Sequence, residues 1–291
     1  MKRALYMTIL YHLPKGMAHK MLYRKMMHKR LDLKNPKGFN EKLHYLMVNR
    51  YGKHEGLLAD KAKVKTVIAK KKIKGLNIPK TIKTYHSADE IDLNELPDKF
   101  VLKCNHGSGD VFICRDKSKF NIEVAKKALN KVLKKDFAKV MLEYHYSYIE
   151  PVIIAEELLD DGSNKAMVDY KFYCFNGQPK YLYVSEGLDN HETAKIEFFD
   201  MDFKPAPFGR ADYHKFDKKP MIPKDFEKLK RIACELAKGE DFVRVDLYDV
   251  NGKVYFGELT FSPCAGFMPF EPAQWDEKLG NMLKISEAKN K

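Results

Sequence analysis

Asp246, Glu258 and Thr260 are three oxygen donors close together in the chain, and Arg244 stands two residues before the first of them. Carboxylates and hydroxyls are the hard ligands that Mg²⁺ takes, usually with substrate phosphate oxygens completing its shell. Such chemistry requires all of them on one face. The segment 243-VRVDLYDVNGKVYFGELTFSP-263 alternates Val243, Val245 and Leu247, then Val254, Phe256 and Leu259, around Asn251-Gly252. This pattern predicts a β-hairpin. Arg244 and Asp246 lie one side-chain repeat apart, so they share a face. A two-residue Asn251-Gly252 loop sets Asp246 opposite Gly257 and turns Glu258 to the other face. A three-residue loop, residues 250–252, sets Asp246, Glu258 and Thr260 on one face. A shared metal site therefore predicts the odd-length loop. A half-exposed hairpin with its polar residues in water is the alternative.

Further candidates lie upstream. In 96-LPDKFVLKCNHGSGDVFI-113 a strand from Phe100 to Lys103 runs into a glycine-bearing loop, Asn105 to Gly109, and a return strand, Val111 to Ile113. The backbone N–H groups of Gly107, Ser108 and Gly109 can approach phosphate closely, with the Lys103 ammonium balancing charge. A plain hairpin loop is the alternative. The run 60-DKAKVKTVIAKKKIKGLNIPKT-81 reads as a helix entering Asn77-Ile78-Pro79. By composition alone its lysines read as a solvated basic face. Downstream, 151-PVIIAEELLDDG-162 reads as an apolar strand ending in acids, and 169-DYKFYCFNGQPKYLYVSEG-187 as a hairpin around Asn176-Gly177.

In this order the motifs resemble the ATP-grasp superfamily, whose C-terminal signature is R-x-D, a short hairpin, then E-x-N with Pro and Gly behind. Here Thr260 stands where Asn is usual. The resemblance implies an ATP-grasp fold of the α+β class with ATP and Mg²⁺ as cofactors. Asp246, Glu258 and Thr260 would serve as metal residues, and Arg244 would stabilise the anionic intermediate. It implies that Lys65, or else Lys61, and Lys103 are the nucleotide lysines and that Gly107, Ser108 and Gly109 cover the phosphates. Glu156, Glu157, Leu158 and Leu159 match the hinge that receives adenine, with Asp160 or Asp161 for the ribose. Lys171 looks like the basic residue of a D-x-R element, where a point charge replaces arginine's fork. Lys195 is a further phosphate cation. More narrowly, 38-GFNEKLHYL-46, the Asp60-Lys61 pair, 97-PDKFVLKCNHGSG-109, 169-DYKFYCFNG-177 and 242-FVRVDLYDVNGKVYFGELTFSPCAGF-267 resemble the teichuronopeptide-biosynthesis (TupA-like) ATP-grasp proteins of bacterial polysaccharide loci.

These residues need a scaffold, and the chain supplies one. Its 291 residues suffice for one large domain or a few packed subdomains. Hairpins and helical stretches without regular βαβ alternation indicate α+β. The expected division is a basic, mainly helical region over 1–95, a small lid over 96–156, a sheet subdomain carrying the metal site over 157–284, and a tail over 285–291. Five cysteines without a C-x-x-C pair indicate a reducing compartment, with Cys104, Cys114 and Cys174 as buried thiols. His106 is the histidine nearest the glycine loop, and a structural role is expected for it. Residues 1–50 hold twelve Lys/Arg and two Asp/Glu, giving +10 of the chain's +13. Met17, Met21, Leu22, Met26 and Met27 interleave with basic residues as in an amphipathic helix. Its apolar face would pack on the domain, or residues 1–30 would lie on anionic lipid or acidic glycan.

The resemblance implies a carboxylate–amine ligase working through an acyl phosphate. Its partners would be a sugar carboxylate, a uronic acid of a capsule-like glycan or its precursor, and a small amine, in the cytoplasm or at the inner membrane face. An ATP-dependent sugar kinase or another transferase of the same pathway is the alternative. A nucleic-acid-binding module is remote, because the aromatics sit in apolar strands and no recognition motif appears.

Overall fold

The strand signals resolve into two main sheets that line one cleft and a separate two-stranded pairing. The computed structural model describes residues 2–287 apart from 108, 110, 163–166, 188–193 and 211. Helices α1 (Lys2–Tyr11) and α2 (Lys15–Met27) come first, parted at Pro14, whose fixed φ and missing N–H suit a helix start. Then follow α3 (Phe39–Asn49), α4 (Lys53–Ala59) and α5 (Lys63–Lys71). Glu41 and Glu55 turn back to accept the Gly38 and Gly52 N–H groups at 3.2 and 2.7 Å, which starts α3 and α4. Buried Asp60 accepts from the Ala62 and Lys63 N–H groups and from Asn105 Nδ2. The start of α5 is thereby tied to the glycine loop.

The smaller sheet follows. Strands β1 (Leu76–Asn77), β2 (Thr81–Tyr85), β3 (Phe100–Cys104) and β4 (Phe112–Cys114) precede α6 (Ile122–Leu133), α7 (Phe137–Met141) and β5 (Ile153–Glu157). Four of these strands form an antiparallel sheet in the order β2-β5-β3-β4. Phe100, Leu102, Ile153 and Ala155 are buried with Ala125 and Leu129 of α6. Strand β2 lies before residue 96, so this sheet takes in a strand from the region assigned to the N-terminal part.

The larger sheet draws on β6 (Asp169–Phe175), β7 (Gln178–Glu186) and β8 (Lys195–Asp200). After β9 (Gly209–Arg210) and α8 (Phe226–Ala237) come β10 (Phe242–Val250), β11 (Lys253–Thr260), β12 (Phe270–Glu271) and α9 (Trp275–Met282). Six strands run β1-β11-β10-β6-β7-β8, with β1 parallel to β11 and the other pairs antiparallel. The architecture is α+β. Asn176-Gly177 and Asn251-Gly252 all have positive φ, from 50° to 79°, as the tightest hairpin turns demand.

This sheet is two-sided. Phe172, Cys174, Val243, Val245 and Leu247 are buried on the α8 side, where the Cys174 thiol reaches Ala233 O. On the other face Phe175 and Phe242 pack against Phe39 of α3, with ring centroids 5.7 and 4.9 Å apart. Beyond them that face turns polar, with Tyr173 beside Arg244 and Lys171 beside Asp246.

Helix α2 is amphipathic, but its inner face belongs to the core. Ala18, Leu22 and Tyr23 are buried with Leu142, Tyr144 and Phe267, and His19 Nδ1 lies 2.7 Å from His44 Nδ1. Met17, Met21 and Met26 are exposed. No described helix is long and apolar enough to cross a membrane. Cys104, Cys114 and Cys174 are buried thiols, as expected.

Candidate active site

The hairpin β10–β11 keeps its polar residues together by a route other than the expected one. Val250 pairs with Lys253, so the loop is the two-residue Asn251-Gly252 turn, and the three-residue loop is corrected. Pairing continues to Leu247 with Phe256, then shifts by one residue, and Asp246 faces Glu258 while Arg244 faces Thr260. Gly257 is the extra residue of a β-bulge. A Cβ there would stand 2.9 Å from Asp246 O and 3.0 Å from the Tyr248 ring, which is why the position is glycine. An isolated glycine inside a strand pattern was the signal that could have revealed it.

Arg244 is the hub of the resulting cluster. Its Nε and Nη2 donate to the two oxygens of Asp246 at 2.7 Å each, and Nη2 also donates to Glu258 Oε1 at 2.8 Å. Thr260 Oγ1 donates to Glu258 Oε1 at 3.3 Å. From β6, Lys171 Nζ donates to Asp246 Oδ2 at 2.9 Å and lies 3.2 Å from Asp169 Oδ2. Lys61 Nζ stands 3.3 Å from Glu258 Oε2 and donates to Gly107 O at 2.6 Å. Lys61 thus spans Glu258 and the glycine loop, a position that Lys65 does not occupy.

Such packing works only because the charges compensate one another. Asp246 is 1% exposed and Lys171 7%. Burial opposes the charge on Lys171, but Asp169 and Asp246 outweigh it and hold the ammonium above the usual lysine range. Burial likewise opposes the charge on Glu258, yet Lys61, Arg244 and Lys171 keep this carboxyl far below its ordinary value. Glu258 stays ionised, the form in which a carboxyl can bind a metal ion.

Across the cleft a second cluster forms in the smaller sheet. Glu156 points inward from β5 and is held by both nucleotide-lysine candidates. Its Oε2 lies 2.5 Å from Lys103 Nζ, and its Oε1 pairs with Lys65 Nζ. Lys65 also donates to Pro79 O and Thr81 Oγ1, both at 2.8 Å. Burial favours neutral Glu156, but Lys103 and Lys65 outweigh it and lower its pKa. The Glu156 side chain therefore serves the lysines, while Glu157, Leu158 and Leu159 continue along the cleft wall. Asp160 pairs with Lys99 at 2.8 Å.

The cleft has a volume of about 610 Å³, and residues from both clusters line it, including Lys61, Lys103, Lys171, Glu156, Asp246 and Glu258. Its size suits a nucleotide-sized ligand. Gly107 and Gly109 lie on its rim with φ of 71° and 89°, and a Cβ on Gly107 would strike the Phe137 ring at 2.3 Å. Ser108 lies outside the described residues. Lys195 is not among the residues that line the cleft, and its ammonium pairs with Asp217. His106 faces Lys135 O and the Phe137 ring, a structural setting. Asp169 was missed as a candidate, although it shares a strand face with Lys171. Asp246 and Glu258 offer only hard oxygens at one end of a cation-lined cleft, a donor set that fits Mg²⁺ with phosphate.

A model of the TupA-like ATP-grasp family matches residues 41–284. No curated protein matches the chain. Among solved structures the chain is similar to a D-alanine–D-alanine ligase from Bacillus anthracis complexed with ATP. The identity is 17% over 72% of this chain and 56% of that one, with a TM-score of 0.40. It is also similar to the ATP-grasp ligase PsnB complexed with its minimal precursor, at 13% identity over 77% of this chain and 59% of that one, TM-score 0.38. A third is the macrocyclase MdnC bound with precursor peptide MdnA from Microcystis aeruginosa MRC, at 10% identity over 79% and 62%, TM-score 0.38. The chain thus spans less than two thirds of each of these structures.

Proposed function

The chain belongs to the TupA-like ATP-grasp family, and from that membership we propose an ATP- and Mg²⁺-dependent ligase that joins a carboxylate to an amine. The observation that carries the reading is the pairing of Asp246 with Glu258 under Arg244 and Lys171, facing a lysine-lined cleft.

In this reading a carboxylate oxygen of the acid attacks the γ-phosphorus of ATP, and the bond to the β-bridging oxygen breaks to release ADP. The amine nitrogen then attacks the acyl carbon, phosphate leaves with the bonding electrons, and the nitrogen loses a proton to leave an amide. Lys103 and the glycine loop meet the phosphates, and Lys61 ties that loop to Glu258. Asp246 and Glu258, backed by Thr260, would hold Mg²⁺, which supplies charge neutralisation on the transferring phosphoryl group when bound. Arg244 stabilises the anionic acyl-phosphate and tetrahedral species, a task that rewards preorganised charge. Lys171 fixes Asp246 and adds positive potential. Residues 96–156 with β2 act as the lid, and residues 157–284 carry the metal site.

Family likeness supports a uronic acid of a bacterial surface polysaccharide, or its precursor, as the acid, and an amino acid or amino alcohol as the amine. ATP and thiols without disulfide pairing suit the cytoplasm. The test is ADP release screened over uronic acids and amines, with mass spectrometry of the product. An amide is expected. A phosphorylated sugar would move the assignment to kinase chemistry. By calorimetry, Lys103→Ala should weaken Mg²⁺-ATP binding about tenfold or more, the loss of one charge-assisted phosphate contact. Unchanged affinity would remove Lys103 from the nucleotide site.

A further inference from the structure

We propose that the outward face of α1 and α2 is a docking surface for an anionic lipid bilayer. The two helices form a hairpin bent at Pro14, and Lys25 Nζ of α2 lies 3.9 Å from the centre of the Tyr6 ring of α1. The end of α2 thus returns beside the start of α1. Their inner residues Met7, Leu10, Ala18, Leu22 and Tyr23 are buried. Their outward residues are also apolar. Leu5 and Ile9, one turn apart on α1, are 63% and 53% exposed, and Met17 and Met21, one turn apart on α2, are 52% and 43% exposed. A helix that only packs on its own domain is polar on its outer side.

The two helices themselves carry charge of one sign. Residues 1–30 contain eight Lys/Arg and no Asp or Glu. Lys15, Lys20, Arg24, Lys25, Lys29 and Arg30 are all exposed. Long basic side chains can hold their charges at the headgroup level while their stems and the neighbouring apolar groups enter the acyl boundary. A soluble polyanion satisfies the charges but leaves Leu5, Ile9, Met17 and Met21 in water. A bilayer with anionic headgroups satisfies both. No cleft residue takes part, so the proposal stands independently of the ligase reading.

The experiment is co-sedimentation of the full chain with phosphatidylglycerol–phosphatidylcholine vesicles and with pure phosphatidylcholine vesicles. Binding should be at least about tenfold tighter on the anionic vesicles and weaken with salt. Leu5→Glu/Ile9→Glu and Lys20→Glu/Arg24→Glu should each abolish binding while the melting temperature and Mg²⁺-ATP affinity stay unchanged. In Ile9→Trp the added indole emission should shift to the blue on anionic vesicles. Absence of wild-type binding overturns the proposal. So does binding that ignores Leu5→Glu/Ile9→Glu and is competed away by soluble polyglucuronate, which would make the face a polyanion site. Light scattering that finds a dimer broken by Leu5→Glu would overturn it in favour of a contact between two copies of the chain.

Discussion

At Arg244 one guanidinium serves two carboxylates, which makes each of the three groups depend on the others. Glu258→Gln keeps the side chain's size but removes a charge from a compensated cluster. Turnover should fall at least about 100-fold, the scale of losing one preorganised charge contact in a dry site. ADP release measured beside a thermal melt separates this from unfolding, and normal turnover would remove Glu258 from the metal site. Arg244→Lys should be comparably severe, because an ammonium cannot make the fork that reaches both oxygens of Asp246. Glu143 offers a pH prediction. Burial pushes its carboxyl up to about 7, although Ser262 donates to it at 2.5 Å. The neutral form is favoured in the folded chain, so its contribution is complete below the ordinary carboxylate pKa and is lost as pH rises through about 7. Glu143→Gln should therefore gain melting temperature relative to wild type at alkaline pH compared with acidic pH. A difference that does not change with pH would refute this.

The hairpin β10–β11 tests the reasoning at the level of elements. Gly257→Ala would press a methyl on Asp246 O, at a cost of about 1–3 kcal/mol if the strands shift to relieve it. Turnover should fall more than stability does, because the carboxylate spacing sets the geometry of the reacting groups. A melt and an ADP assay on the same sample decide this, and unchanged values for both would mean that the bulge has no part in positioning. Much at this level was legible in the sequence. Alternation and the Asn-Gly turns gave both hairpins, and the glycine loop fell between β3 and β4 as expected. The route to the shared face was not legible, because turn length and bulge are separate local features whose effects on register add. Lys61 and Lys65 were also hard to rank. Both belong to one lysine-rich stretch, and ties of Asp60 and of the Lys61 N–H to Asn105 hold Lys61 beside the glycine loop.

Over the whole molecule, the N-terminal helices join distant parts of the chain. His19 reaches Leu142 O at 3.2 Å, and Tyr23 and His44 pack against Phe267, just beyond the β10–β11 hairpin. Removing residues 1–30 would uncover that apolar surface and leave His44 without its partner. The truncated chain should melt well below the intact one and lose ATP affinity with it, as scanning calorimetry with and without Mg²⁺-ATP would show. Full retention of both would make these helices an independent appendage. From the sequence, an apolar face packed on the domain and one turned to a charged surface were equal alternatives. Apolar residues fall on opposite sides of the two helices, and helical periodicity alone does not say which side meets the domain.

The bulge at Gly257 has a consequence for how this hairpin can change. Its unpaired residues number three, two at the tip and one in the strand, and in this sequence the sum being odd is what sets Glu258 on the side of Asp246. One residue can migrate between tip and bulge without altering that parity. A residue inserted at the tip joins the unpaired loop and leaves Asp246 facing Glu258, whereas one inserted among the paired residues between the turn and Gly257 would turn Glu258 toward α8 and bring Leu259 into the cleft. Relatives of this chain should therefore vary in length at the tip but keep the number of paired residues between the turn and the position of Glu258.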